Sequence, residues 1–73
     1  VTMYVHDSTD LGRALRERRR AAGLTQDDVA AAAGVNRRVV GELERGKPTV
    51  QLAIALRVAE ALGLDIMLRE RGA

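Results

Sequence analysis

Residues 25–46 of the chain read TQDDVAAAAGVNRRVVGELERG, and this stretch decides the fold. Thr25 is a preferred N-cap residue, so a short helix is predicted over about residues 26–33. Asp28 occupies the capping-box position, where Glu or Gln is more usual. Gly34 is expected to end this helix, because glycine adopts a positive φ without the steric cost that other residues incur. The first half of the stretch therefore predicts a capped helix followed by a tight turn.

A second short helix is predicted after the turn. Asn36 can cap this helix, which is expected to reach about Arg45 before Gly46 closes it. Two short helices joined by a glycine-containing turn are the helix-turn-helix geometry, which the sequence predicts over residues 25–45. Ala30 is small where the two helices must cross. Four apolar positions are expected to fix the crossing angle: Val29, Val35, Val40 and Leu43.

The composition predicts a small domain with a thin core. The chain has 73 residues, 47% of them apolar, with one aromatic residue and no cysteine. The whole chain (residues 1–73) is expected to form one all-α domain of four helices. The two outer helices are predicted over about residues 9–22, capped by Ser8, and over about residues 50–62, capped by Thr49. Burial in so short a chain barely offsets the entropy of ordering, so we expect either efficient packing of the helices or a second copy of the chain to supply the remaining stability.

The last predicted helix is too apolar for a monomer. Apolar residues cover about two thirds of its wheel, whereas the core-facing stripe of a surface helix is nearer to about 100° wide. One arc is expected to pack on the other helices: Leu52, Leu56 and Ala59. The second arc is expected to face a second protomer: Val50, Ile54, Val58 and Ala61.

After Gly63 the apolar pattern changes its period. Leucine or isoleucine occupies every second position of residues 64–68, which predicts a short C-terminal β-strand. Its partner is either residues 1–6 of the same chain or its own copy across a two-fold axis, the pairing that we favour. A fifth, short helix is the alternative. The predicted dimerisation region spans residues 49–70, and its interface residues are Val50, Ile54, Val58, Ile66 and Leu68.

The charge is distributed unevenly along the chain. The net charge is only +2, and eleven of the twelve cationic residues are arginine. Nine cations and five acids lie between Arg13 and Lys47, whereas the remainder of the chain has three cations and five acids. Arginine suits bidentate contacts to phosphate and guanine. The basic half therefore indicates a nucleic-acid partner, and a solvated helix face is the alternative interpretation.

The N-terminal end of the second helix carries residue types that read base edges. Arginine pairs with guanine and asparagine with adenine, so we predict base contacts from Asn36, Arg37 and Arg38. Gly41 lies on the same outward face and is expected to let the backbone press into the major groove, or else to relieve crowding against a neighbouring helix. Glu42 could accept from a cytosine amine or pair with a nearby arginine. The predicted phosphate contacts are Thr25, Gln26, Arg45 and Lys47.

The motifs themselves point to a known family. Leu-Thr-Gln at residues 24–26, Gly-Val at 34–35 and Leu-Glu-Arg-Gly at 43–46 resemble the Xre family of phage-repressor-like DNA-binding domains. The resemblance covers about residues 11–64 and implies a repressor-like fold that binds double-stranded operator DNA.

The same resemblance implies one structural ion pair. Arg19 and Glu44 occupy positions that form a partly buried pair in the family and tie the first helix to the third. Arg18 is a competitor for Glu44, because it falls on the apolar side of its own helix and needs a partner.

Both ends of the chain are similar to the HipB-type antitoxins within this family. The similar segments are residues 7–15, residues 44–49 and the Arg-Glu-Arg-Gly of residues 69–72. The similarity implies a homodimer that represses its own operon and binds a HipA-like kinase toxin. The sequence ends at Ala73, so we expect such a toxin to contact the globular surface rather than a long tail.

Other classes of function are disfavoured. No apolar run approaches the roughly 20 residues that span a bilayer, and no signal peptide opens the chain, so a cytoplasmic, nucleoid-associated protein is expected. One histidine, no cysteine and no glycine-rich phosphate loop argue against an enzyme, a metal site, a cofactor or a small-molecule ligand. Two alternatives stay open: a stand-alone Xre-type regulator without a toxin, and a protein-interaction adaptor on the same fold.

Overall fold

The computed structural model describes residues 2–72, so Val1 and Ala73 lie outside the described part. Four α-helices form the described chain: α1 (Ser8–Ala21), α2 (Gln26–Ala33), α3 (Arg37–Glu44) and α4 (Leu52–Ala61). α2 packs against both α3 and α4, and α1 packs against α3. The predicted all-α fold of four helices is confirmed.

Local capping explains where α2 and α3 begin and end. The Thr25 side chain accepts a hydrogen bond from the Asp28 amide, and the Asp28 carboxylate accepts one from the Thr25 amide, which completes the capping box. Gly34 ends α2 with a φ of 70° in the left-handed region. Asn36 caps α3, and its carboxamide oxygen accepts from the Val39 amide at 2.9 Å. The predicted helix-turn-helix elements are confirmed.

Two predicted caps are wrong. Asp7, not Ser8, caps α1, because its carboxylate accepts from the amide of Asp10 at 2.8 Å. α4 begins at Leu52 rather than after Thr49, and its N-cap makes no side-chain hydrogen bond. The amide of Val50 instead donates to the carbonyl of Lys47 at 3.5 Å, so the expected first turn of α4 belongs to the preceding loop.

The core lies between α4 and the other three helices. Its fully buried large side chains are Leu15, Val29, Val40 and Val58. Val58 is only 1% exposed, so its predicted place in a dimer interface is wrong. Val50 and Ile54 are partly buried and also pack on the core. The predicted inward arc is therefore only partly right, because Ala59 is buried as expected, whereas Leu52 and Leu56 are 70% and 45% exposed.

A close helix crossing joins α1 to α3. A Cβ atom on Gly12 would overlap the carbonyl oxygen of Leu43 and lie 2.8 Å from that of Glu44. Gly12 is therefore required by the approach of the two backbones. This close contact sets how near α3 packs to α1.

Residues 64–70 adopt neither a helix nor a strand in the described chain. The alternative of a fifth helix there is wrong, and no strand ladder forms with residues 2–6 within this chain. The two segments still meet, because Arg69 donates to the Tyr4 hydroxyl at 2.9 Å and its guanidinium lies 5.4 Å from the ring centroid. The structure of the single chain leaves Met67 and Leu68 84% and 98% exposed.

Candidate nucleic-acid interface

The first turn of α3 presents two accessible guanidinium groups. The side chains of Arg37 and Arg38 are 64% and 87% exposed. Arg37 lies 3.5 Å from the exposed Asp27, and Arg38 lies 3.9 Å from Glu42, whose side chain is 18% exposed. Because both guanidinium groups are exposed and the contacts are long, these pairs contribute little to stability and exchange readily for another anion. Both arginines can therefore turn toward DNA.

Asn36 immediately precedes these arginines, and its side chain caps α3. Its carboxamide oxygen accepts from the Val39 amide, which leaves its amide group as the part that can donate to DNA. A bidentate contact to adenine needs both the oxygen and the nitrogen of the carboxamide. The predicted adenine contact therefore has to use the second lone pair of the capping oxygen, whereas a single donated hydrogen bond leaves the N-cap of α3 unchanged.

The start of α2 lies next to the same surface. The Thr25 hydroxyl oxygen accepts from the Asp28 amide at 3.0 Å, and its single hydrogen can be donated either to the Asp28 carboxylate or to a phosphate. The pKa of the Asp28 carboxyl is lowered by hydrogen bonds from Thr25. The bond from the Thr25 backbone has the larger effect, and the bond from the Thr25 side chain the smaller. The capping box thus holds Thr25 in place at the edge of the candidate interface.

Three side chains form one hydrogen-bonded group beside the start of α2: Arg19, Gln26 and Glu44. Arg19 donates to the Glu44 carboxylate at 2.6 Å and 3.0 Å and to the Leu24 carbonyl at 2.8 Å. Gln26 donates its side-chain amide to the same carboxylate at 3.1 Å. Burial raises the pKa of Glu44, but hydrogen bonds from Arg19 and Gln26 outweigh it, and the pKa is lowered overall. Gln26 is thereby fixed at the start of α2.

The prediction that Gly41 lies on an open outward face is wrong. It is buried, and a Cβ atom there would lie 3.2 Å from the Arg45 guanidinium and 3.6 Å from the Gln26 side-chain oxygen. The missing side chain makes room for these two polar groups. The alternative that Gly41 relieves crowding beside a neighbouring helix describes its position better than a direct approach to a base.

The end of α3 carries the remaining predicted contacts. Arg45 is exposed at the C-cap, and Lys47 donates to the Glu42 carboxylate at 2.9 Å. That hydrogen bond is the main cause of the lowered pKa of Glu42. Glu42 is thus an intramolecular partner of two cations. Lys47 lies closer to its carboxylate, at 2.9 Å, than Arg38 does, at 3.9 Å.

Two contacts were missed because they join residues far apart in the chain. Arg18 donates to the Leu62 carbonyl at 3.0 Å, so it closes the end of α4 and does not compete for Glu44. The bond between Gln26 and Glu44 links positions that are 18 residues apart. No local pattern signals either contact, because both depend on how the helices pack.

Comparison with known proteins decides the family. A family model described as helix-turn-helix matches residues 15–68. The chain belongs to the Xre-type helix-turn-helix family. Members of this family are DNA-binding transcriptional regulators and are normally not enzymes.

This Xre-type chain is similar to a curated protein and to solved structures. It is 42% identical over 57 residues to an uncharacterized HTH-type transcriptional regulator of Sinorhizobium fredii, covering 78% of this chain and 75% of that protein. It is 40% identical to the restriction-modification controller protein C.AhdI from Aeromonas hydrophila, with a TM-score of 0.72 over 80% of this chain and 88% of that one.

A third similarity concerns the fold of the Xre-type chain. HipB in a complex with an O4 20mer superposes with a TM-score of 0.89 at 20% identity, covering 96% of this chain and 99% of that one. HipB in a complex with HipA, O2 and O3 gives the same score and coverage. At this identity the likeness shows a shared fold.

Residues 2–72 contain no group of three or more side chains that could hold a metal ion. None of the helices in that part combines the length and apolar character needed to cross a bilayer.

Proposed function

We propose that the protein is a sequence-specific transcriptional repressor that binds operator DNA as a homodimer. The observation that carries this proposal is the position of Arg37 and Arg38, exposed on the first turn of α3, the second helix of the helix-turn-helix. The N-terminal residues of that helix contact base edges in the major groove when such a domain binds DNA. A repressor of this kind acts in the cytoplasm, at the nucleoid.

Each polar residue of the interface has a distinct role in this proposal. Arg37 and Arg38 contact guanine edges, and Asn36 donates one hydrogen bond while it keeps its cap. Gly41 supports this surface indirectly, because its missing side chain leaves room for Arg45 and Gln26. Four residues hold the operator backbone and set the register of the helix: Thr25, Gln26, Arg45 and Lys47.

The dimer is proposed from the apolar side chains that the single chain leaves exposed. Leu52 and Leu56 are exposed on one side of α4, and Ile66, Met67 and Leu68 are exposed in the last segment. The alternating pattern of residues 64–68 suits pairing with the same segment of a second copy as a short β-strand. Val50 and Ile54, which were also predicted in the interface, pack against the core of the single chain and are left out of this surface. A two-fold dimer matches the symmetry of palindromic operators.

We further propose that the repressor is an antitoxin. The shared fold with HipB, which has been solved in complexes named for HipA and for operators, supports this assignment. In this role the protein represses its own operon and neutralises a HipA-like kinase toxin. A kinase-like reading frame beside the gene is the expected genetic context.

A stand-alone Xre-type regulator is the second candidate. The 40% identity to the controller protein C.AhdI favours it, because this sequence likeness is twice that to HipB. A protein-interaction adaptor on the same fold is a third candidate, and it predicts no dependence of DNA binding on Arg37 or Arg38.

A gel-shift assay on the DNA just upstream of the gene tests the repressor function. The wild-type chain is expected to retard this DNA but not a shuffled duplex of equal length. The double substitution Arg37→Ala/Arg38→Ala is expected to abolish the preference for the upstream DNA over the shuffled duplex. Arg13→Ala/Arg20→Ala removes two positive charges from exposed positions of α1 and serves as the matched control. Equal retardation of both duplexes by the wild type would exclude a sequence-specific repressor.

A co-purification experiment separates the antitoxin from the stand-alone regulator. The product of the neighbouring kinase-like frame is expressed with this chain and passed over a size-exclusion column. Elution as one complex supports the antitoxin. Separate elution, or the absence of a kinase-like frame, favours the stand-alone regulator.

A further inference from the structure

An open depression of about 250 Å³ lies in front of Gly41, where α1, α2 and α3 meet. Each of these helices contributes polar side chains to its wall. The lining residues are Arg16, Arg19, Gln26, Gly41, Glu44 and Arg45. Gly41 lies at the floor, and the side chains of Gln26 and Arg45 lie close to it on either side.

The charge of this depression favours an anion. Three arginines and one glutamate line it, and the glutamate is already occupied by hydrogen bonds from Arg19 and Gln26. Arg16 is exposed and takes part in none of the ion pairs found within residues 2–72. Its positive charge also contributes to the lowered pKa of Glu44, so the two side chains are near each other. An uncompensated guanidinium therefore faces the opening.

Gln26 is prepared to bind the same anion. One hydrogen of its side-chain amide is donated to Glu44, and the second hydrogen is available for another acceptor. The bond to Glu44 restricts the side chain before DNA arrives, which reduces the entropy lost on binding. Glu44 is thus a positioning residue for Gln26.

We propose that this depression seats one phosphate of the DNA backbone, and that Arg16 of α1 is a further phosphate contact beside Gln26 and Arg45. The proposal rests on the DNA-binding function proposed above and extends the interface onto the first helix. Because the contact is to phosphate, it adds affinity for any duplex and no preference among sequences.

The salt dependence of DNA binding tests the proposal. Affinities for the upstream DNA and for a shuffled duplex are measured from low to moderate salt with the wild type, Arg16→Gln, Arg16→Lys and Arg20→Gln. Each phosphate contact contributes about 0.9 to the slope of log K against log salt concentration. Arg16→Gln is expected to lower the slope by about that amount on both duplexes, and Arg16→Lys to restore most of it.

Arg20→Gln is the matched control, because it removes the same charge one turn further along α1, outside the depression. Its slope is expected to stay close to the wild-type value. An unchanged slope for Arg16→Gln, or an equal loss for Arg20→Gln, would overturn the proposed seat. Equal wild-type affinity for the two duplexes would instead exclude the sequence-specific repressor, and the slopes on either duplex would still decide the role of Arg16.

Discussion

Arg19 of α1 holds the carboxylate of Glu44 at the end of α3 by two hydrogen bonds, of 2.6 Å and 3.0 Å. The pair joins α1 to α3, the helix that presents Arg37 and Arg38. Gln26 of α2 shares the same carboxylate. One glutamate therefore links the three helices around the candidate DNA interface, and its loss should affect both stability and binding.

Replacing Glu44 by Ala is expected to lower the free energy of unfolding by about 3 kcal/mol, because a partly buried guanidinium loses its partner. The side chains of Arg19 and Glu44 are only 12% and 5% exposed, so water cannot replace the lost contact well. Urea unfolding of both proteins measures the change. Asp27→Ala, which breaks an exposed pair with Arg37, is the control and should cost less than about 1 kcal/mol. Equal effects of the two substitutions would contradict the structural role of Glu44.

The stability of the protein is expected to fall in acid partly through Glu44. Its pKa in the folded chain lies below the ordinary value of 4.5. The stabilisation from this carboxylate is therefore fully present above the unfolded pKa and is lost as the pH falls through the folded pKa. Arg19 stays charged throughout, because its pKa is raised by the hydrogen bond to Glu44.

Glu44→Gln removes this titration, so its free energy of unfolding should decline less than that of the wild type between about pH 5 and pH 3. Denaturant unfolding at a series of pH values makes the comparison. A residual decline is expected in both proteins from Asp28 and Glu42, whose pKa values are also lowered. Parallel curves for the two proteins would show that Glu44 contributes nothing to acid sensitivity.

Replacing Gly12 by Ala is expected to destabilise the fold by more than about 2 kcal/mol. The new methyl group would overlap the carbonyl oxygen of Leu43, so α1 and α3 would have to separate. Gly41→Ala is the matched control inside a helix, because its methyl group would meet side chains, the movable end of Arg45 at 3.2 Å and the Gln26 amide at 3.6 Å, rather than a backbone carbonyl. The control should be neutral or stabilising by up to about 1 kcal/mol through helix propensity. Thermal unfolding that ranks the two variants in the opposite order would refute the close crossing.

The proposed dimer is expected to dissociate when charge is placed on the exposed side of α4. Leu52→Glu/Leu56→Glu should sediment as a monomer at concentrations where the wild type sediments as a dimer. Both side chains are exposed in the single chain, so the fold should survive. Ala53→Glu adds a charge at another exposed position of the same helix and should leave the dimer intact. A monomeric wild type, or a dimeric double variant, would exclude this surface.

Local signals in the sequence were sufficient to predict the helix-turn-helix. The bounds of α2 follow from Thr25 at its start and Gly34 at its end, and the structure shows both in the predicted roles. The start of α3 follows from Asn36 in the same way. These caps and the turn between them depend on neighbouring residues, which explains why α2 and α3 could be predicted, although the same kind of signal misplaced the N-caps of α1 and α4.

Packing could not be predicted from the same patterns. The wheel of α4 has two apolar arcs of similar character, and nothing local shows that Val58 faces the core while Leu52 faces outward. Gly12 appears as an ordinary helix residue until the backbone of α3 is placed against it. The role of Gly41 also depended on side chains from other positions, because Gln26 and Arg45 occupy the space in front of it.

The reading of bases by Arg37 and Arg38 is the central claim, and the ratio of affinities for the upstream DNA and a shuffled duplex tests it directly. At fixed salt the wild type is expected to prefer the upstream DNA by about a thousandfold or more. Arg37→Ala and Arg38→Ala should each cost about 1–3 kcal/mol on the upstream DNA and much less on the shuffled duplex, whereas Arg45→Ala should weaken both equally. Equal losses on the two duplexes for Arg37→Ala and Arg38→Ala would contradict the account.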